Sequence, residues 1–175
     1  MIEILINLLF SGRGGENEMR RIITTFGILA ISITILISGS VVGAYWAVDV
    51  DSYQNVVNPY AALGGPDGNK SSLGDYQSSE LGWIILYMGE NPIPSNEDFE
   101  IHSTSQVNET YRVRCLEYGC KNPTDWWDGY DTGVLTFHTP STGKDYYYVE
   151  IHATSGVDND DPHWGPEIDA VGWDV

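Results

Sequence analysis

Positive charge is scarce in this chain. Eight Lys and Arg stand against 25 Asp and Glu in 175 residues, a formal net charge of −17 at pH 7. Three bases (Arg13, Arg20, Arg21) and three acids (Glu3, Glu16, Glu18) lie before Tyr45, so residues 45–175 hold 22 acids against 5 bases. Such a surface repels phosphate backbones and excludes nucleic acid as a partner, while it suits divalent cations, neutral glycans or a salty exterior. Cysteine is nearly missing. Cys115 and Cys120 are the only two, too few for a thiolate zinc site and wrongly spaced for a redox C-x-x-C. No segment after residue 44 has sustained helical periodicity, which excludes a helical bundle. Catalytic signatures are lacking too. His102, His138, His152 and His163 fall in no H-E-x-x-H array, and no G-x-S-x-G turn occurs. Among 22 acids some pair at glycosidase separation is inevitable, but nothing singles one out. The chain reads as a non-enzyme. What it does have is aromatic: all six Trp and all eleven Tyr lie after residue 44, material for a core that disordered acidic segments lack.

Residues 22–44 carry no charge and follow Met19-Arg20-Arg21. A basic flank, an apolar centre and the small-residue exit Val42-Gly43-Ala44 fit a secretory signal peptide cut before Tyr45. The same 23 residues are also long enough for a retained transmembrane anchor. In both readings the arginines stay inside and the acidic part goes out, an extracellular or cell-surface location. Met19 offers a second start, which makes residues 1–18 an upstream extension, 19–44 the signal peptide or anchor, and 45–175 the domain. No Cys lies near the exit, so a lipoprotein anchor is excluded. In an oxidising compartment Cys115 and Cys120 are expected to form a disulfide across a tight turn, contributing only about 2 kcal/mol because the closed loop is short. Asn69-Lys70-Ser71 and Asn108-Glu109-Thr110 are sequons open to glycosylation there.

Beyond the exit, short β-prone runs alternate with clusters of Gly, Pro, Asn and Asp. Strands are predicted at 41–50, 83–88, 99–102, 110–116, 134–138, 146–153 and 170–173. In residues 146–152 a period of two sets Tyr147, Val149 and Ile151 inward, and Tyr146, Tyr148, Glu150 and His152 outward. Arg112 and Arg114 alternate in the same manner with Tyr111, Val113 and Cys115. About seven or eight strands predict one all-β antiparallel sandwich.

Ala61-Ala62-Leu63-Gly64-Gly65-Pro66-Asp67-Gly68-Asn69, followed by Ser72-Leu73-Gly74, resembles the "ALGxPDG…SLG" opening of a family of extracellular jelly-roll domains. The family belongs to the galactose-binding-like class, akin to discoidin or coagulation-factor type C domains. Residues 82–89, 96–101, 111–127, 146–152 and 166–171 resemble its later strands in the same order, so the resemblance covers about residues 45–175. Cys115 and Cys120 depart from it, standing where the family has a plain turn.

A hard cation needs several oxygens converging on one point. The tight Asp67-Gly68-Asn69 turn can aim Asp67, nearby carbonyls and the Ser72 hydroxyl together; the other reading is a plain turn with a solvated Asp. The resemblance implies Ca²⁺ in a D-G-N-x-x-T/S loop completed by an acid of the terminal strand, here Glu167 or Asp169. A second acidic loop, 158–161, reads as a solvated tip or a weak cation site. Trp126-Trp127-Asp128-Gly129-Tyr130-Asp131 gathers rings. Adjacent residues of a strand face opposite ways, so one Trp enters the core; the other, with Tyr130 and Trp164, offers a flat ring to a sugar beside Asp128 or Asp131. We therefore expect a secreted or surface-attached, non-catalytic binding or adhesion module, Ca²⁺-stabilised and glycan-binding. Its partners are a cell-surface glycan or protein, or copies of itself, and the membrane only through an uncleaved N-terminal segment. The alternatives are a structural subunit of a surface layer or extracellular filament, and a secreted hydrolase.

Overall fold

A computed structural model describes residues 43–75, 80–103, 109–131, 133–155 and 165–174. Residues 22–42 of the N-terminal hydrophobic segment, Asn108 of the second sequon, the acidic loop 158–161, His163 and Trp164 lie outside the described residues. Twelve strands are present among the described residues: β1 (Ala44–Trp46), β2 (Asp49–Gln54), β3 (Ser71–Ser72), β4 (Gly74–Asp75), β5 (Glu80–Leu81), β6 (Trp83–Tyr87), β7 (Asp98–Ser103), β8 (Thr110–Leu116), β9 (Trp127–Tyr130), β10 (Val134–His138), β11 (Tyr148–Ala153) and β12 (Glu167–Asp174). One sheet has the order β1-β12-β7-β10 with β3 added on β12; the other runs β2-β6-β11-β8-β9; β4 and β5 form a small hairpin. All the pairings are antiparallel. This is the expected all-β sandwich of the jelly-roll class.

Alternation along each strand builds the core between the two sheets. Phe99 and Ile101 of β7 and Phe137 of β10 face Tyr111 and Val113 of β8, Val149 and Ile151 of β11, and Ile84 and Leu86 of β6, all in one buried cluster. Phe99 stacks on Phe137 with ring centroids 5.4 Å apart and meets Trp127 edge-on at 6.0 Å. Ring pairs of this kind add about 0.5–1.5 kcal/mol each beyond the area they bury.

Three sequence expectations change. The predicted lead-in strand at 41–50 divides: β1 joins β12 and β2 joins β6, so the chain passes from one sheet to the other at buried Ala47. Tyr146, expected outside, is 2% exposed, because it forms an isolated bridge with Ile93 ahead of β11 and the alternation begins only at Tyr148. Cys115 and Cys120 are not paired; both are free thiols. The alternation of β8 turns Cys115 into the core, while Cys120 sits in a left-handed backbone conformation (φ 54°) on the exposed turn. Its sulfur lies 3.9 Å from a carboxylate oxygen of Asp51. Burial pushes the Cys115 thiol well above its ordinary value, and burial together with Asp51 raises Cys120.

Gly129 is required by the core. A Cβ there would stand 2.2 Å from the buried ring of Tyr111, which has no room to retreat. Gly129→Ala should therefore destabilise the domain by about 1–3 kcal/mol, read as a lower midpoint in chemical denaturation with an unchanged slope.

Candidate functional site

The outer face of the second sheet carries an ordered row of side chains across all five strands. Directly paired residues share a face, and the register joins Gln54, Trp83, His152, Arg112 and Asp128 in one line. The next line holds Ser52, Ile85, Glu150 and Arg114. Trp126, just ahead of β9, packs over both. Its ring centroid is 4.3 Å from the guanidinium carbon of Arg112 and 4.2 Å from that of Arg114. It also meets His152 edge-on at 5.1 Å. On the other side of His152, Trp83 stacks nearly parallel at 5.9 Å and donates its indole N–H to Gln54.

Glu150 fixes this arrangement. Its Oε2 accepts from Arg114 Nε at 2.6 Å and its Oε1 meets His152 Nε2 at 2.6 Å. Burial raises the pKa of the Glu150 carboxyl, but the hydrogen bonds from His152 and Arg114 and their charges outweigh it, and the net displacement is downward from 4.5. Charge-assisted bonds on both oxygens hold the guanidinium and the imidazole in fixed planes.

The aromatic residues sort as a strand requires. Trp126, Asp128 and Tyr130 share the outer face, Tyr130 opposite Thr110 and 54% exposed. Trp127 and Gly129 face inward, and Trp127 packs on Phe99 and Phe137. Trp127 is thus a core residue and no ligand platform. Asp131 is buried, and its carboxylate accepts the Glu167 backbone N–H at 2.8 Å. Trp83 joins the outer platform without having been singled out in the sequence. Its signal is the alternation Trp83-Ile84-Ile85-Leu86-Tyr87, in which Ile84 and Leu86 take the core side.

The second constellation is the Asp67 loop. A register shift between Ile168 and Ala170 makes Asp169 the extra residue of a β-bulge, a device that re-aims a side chain. Asp169 Oδ1 accepts the backbone N–H groups of Asp67 and Gly68 at 3.2 Å each. Asp67 accepts from the backbone N–H and side-chain amide of Asn69 at 2.8 and 2.7 Å. These two bonds from Asn69 hold the Asp67 pKa below its ordinary value. Ser72 pairs with Glu167 between β3 and β12. Glu167, however, is held by Lys70, whose Nζ lies 2.6 Å from Oε2. Of the five residues expected at a cation site, Asp67, Asn69 and Asp169 share the hydrogen bonds of this loop and Ser72 and Glu167 pair with each other between β3 and β12, but among the described residues no three acidic, histidine or cysteine side chains converge on one point. Both carboxylates are turned to N–H donors, Asp169 to the amides of Asp67 and Gly68 and Asp67 to those of Asn69. Glu167 is committed to the Lys70 ammonium.

No family model matches the sequence, and no curated protein matches it. Among solved structures the chain is similar to the CBM32 of AlyQ in complex with 4,5-unsaturated mannuronic acid, at 11% identity over 73% of this chain and 97% of that one, with a TM-score of 0.48. It is similar to chitosan-binding module 1 of a chitosanase/glucanase from Paenibacillus sp. IK-5, at 14% identity over 73% and 96%, TM-score 0.47. A third is a histidine mutant of the lectin-binding domain of lectinolysin complexed with Lewis b, at 13% identity over 73% and 93%, TM-score 0.46. At these identities and scores they carry no function over to this chain.

The sign of the Glu150 displacement sets an acid dependence. Its folded pKa lies below its unfolded one, so the stability it contributes is full above about pH 4.5 and is lost as pH falls through the folded value. Thermal melts from pH 7 to 3 should show Glu150→Gln less stable than wild type at neutral pH, by roughly 1–3 kcal/mol. The gap should close in acid.

Proposed function

We propose that the domain is a non-catalytic saccharide-binding module that works outside the cytoplasmic membrane, with the outer face of the second sheet as its binding surface. The observation that carries this reading is the platform of Trp126, Trp83 and His152 held rigid by Arg114 and Glu150. Sugar rings are recognised by flat apolar rings that supply area, flanked by polar groups that fix hydroxyls, and rigid aromatic side chains supply that area at little entropic cost. Asp128 and Gln54 close the two ends of the row with acceptors. The uncharged stretch at 22–44, with basic residues before it and the acidic domain after it, supports export. On a glycan array the wild-type chain should bind a defined set of saccharides, and Trp126→Ala should lose at least tenfold in affinity while keeping its melting temperature within a few degrees. Trp127→Ala should instead lower stability by about 3–5 kcal/mol. Self-assembly with no glycan bound would replace this reading with that of a structural subunit.

A divalent cation, Ca²⁺ by the chemistry of its ligands, is proposed to support the fold at the Asp67 loop. Asp67 and Asp169 would hold it, relieving their mutual repulsion and part of the self-repulsion of the acidic domain. Lys70 supplies competing positive charge to the same corner through Glu167. Millimolar CaCl₂ should raise the melting temperature by roughly 5 °C more than NaCl at matched ionic strength. Asp67→Ala should lose that difference, and Lys70→Met should enlarge it. Equal shifts in the two salts would leave the loop an ordinary turn.

A further inference from the structure

Among the described residues Arg112 is a cation without an ion partner, in a chain crowded with carboxylates. Lys70, Arg114 and Lys144 each have one, in Glu167, Glu150 and Glu117 at 2.6, 2.6 and 3.0 Å. Arg112 makes no ion pair among the described residues, even though Asp128 stands opposite it in register. Lys121, the other base without an ion pair there, lies on the exposed turn after β8 and has no ring against it. Arg112 is exposed, and what holds it is the Trp126 ring, 4.3 Å from its guanidinium carbon. A cation–π contact of this kind holds the guanidinium against the ring without using its N–H donors. The same ring is held from the Arg114 side, and Arg114 is itself locked by Glu150. The fork is therefore set in place before any ligand arrives, which lowers the entropic cost of binding.

We infer that the saccharide taken by this face carries a carboxylate, and that Arg112 is the residue that binds it. This rests on the saccharide-binding reading proposed above. The geometry selects the anion: a planar guanidinium fork matches a carboxylate in two parallel hydrogen bonds. The overall charge selects its setting. A domain with 22 acids against 5 bases repels a densely charged polymer, whereas one carboxylate on a sugar adds a single charge, screened beyond about 8 Å at physiological salt. The rest of the sugar meets Trp126, Trp83 and Tyr130, which are neutral. The ligand class is a uronic acid residue within an otherwise uncharged or short glycan.

The test uses the full-length chain in detergent and a panel of short, otherwise neutral oligosaccharides that each carry a single glucuronate, galacturonate, mannuronate or guluronate, each paired with its methyl ester, together with neutral glycans. At least one acid should bind about tenfold or more tighter than its ester. Arg112→Gln should erase that preference while leaving circular dichroism and the melting temperature unchanged. Equal binding of every acid and its ester, or a preference that survives Arg112→Gln, overturns the inference; if neutral glycans still bind through Trp126, the saccharide reading stands without it. Binding of an acidic peptide or of a second copy with no glycan bound, or no binding at all, overturns both.

Discussion

Glu150 lies on the solvent side of a five-stranded sheet, yet it is only 6% exposed, because Arg114 and His152 take one carboxylate oxygen each at 2.6 Å. A carboxylate covered to that degree without partners would cost several kcal/mol. With them, it becomes the fixed point of the face. Arg114 is turned so that Trp126 can lie against it, His152 so that Trp83 stacks on one side and Trp126 meets it on another. Removing the carboxylate would leave two long polar side chains without a reason to share a plane, and the rings above them without a floor.

Both unusual acids of the sandwich owe their positions to irregular pairing. Asp169 is displaced by the bulge in β12 and reaches the amides of Asp67 and Gly68. A register shift in β2 between Val50 and Ser52 likewise frees Asp51, which faces Cys120. In each case the strand keeps its core residues in register on either side and spends the extra residue on a contact outside the ladder. The Asp67 corner thereby gathers residues roughly 100 positions apart. It does so beside β3, whose two serines pair with Glu167 and Ile168.

The charge distribution separates these two regions. The Asp67 corner concentrates carboxylates and balances them with one lysine, while the outer face of the second sheet concentrates the two arginines of the domain. There Arg112 and Arg114 stand opposite Asp128 and Glu150, so in a chain of net charge −17 that face is locally balanced.

The strand at Thr110–Leu116 and that at Val134–His138 coincide with their sequence expectations residue for residue. The all-β class, the outward sides of Arg112, Arg114, Glu150 and His152, and the division of Trp126 and Trp127 between two faces also follow from a period of two, which is a local property of an extended chain. The same period misplaces Tyr146, because an isolated bridge to Ile93 interrupts it. Nearness in sequence likewise suggests a Cys115–Cys120 disulfide, but one thiol is buried on a strand and the other exposed on a left-handed turn residue. What local pattern cannot contain is register. That Trp83, His152 and Arg112 form one row, and that Asp169 meets Asp67, depends on how strands distant in the chain align, and alignment is settled by the packing of both sheets at once.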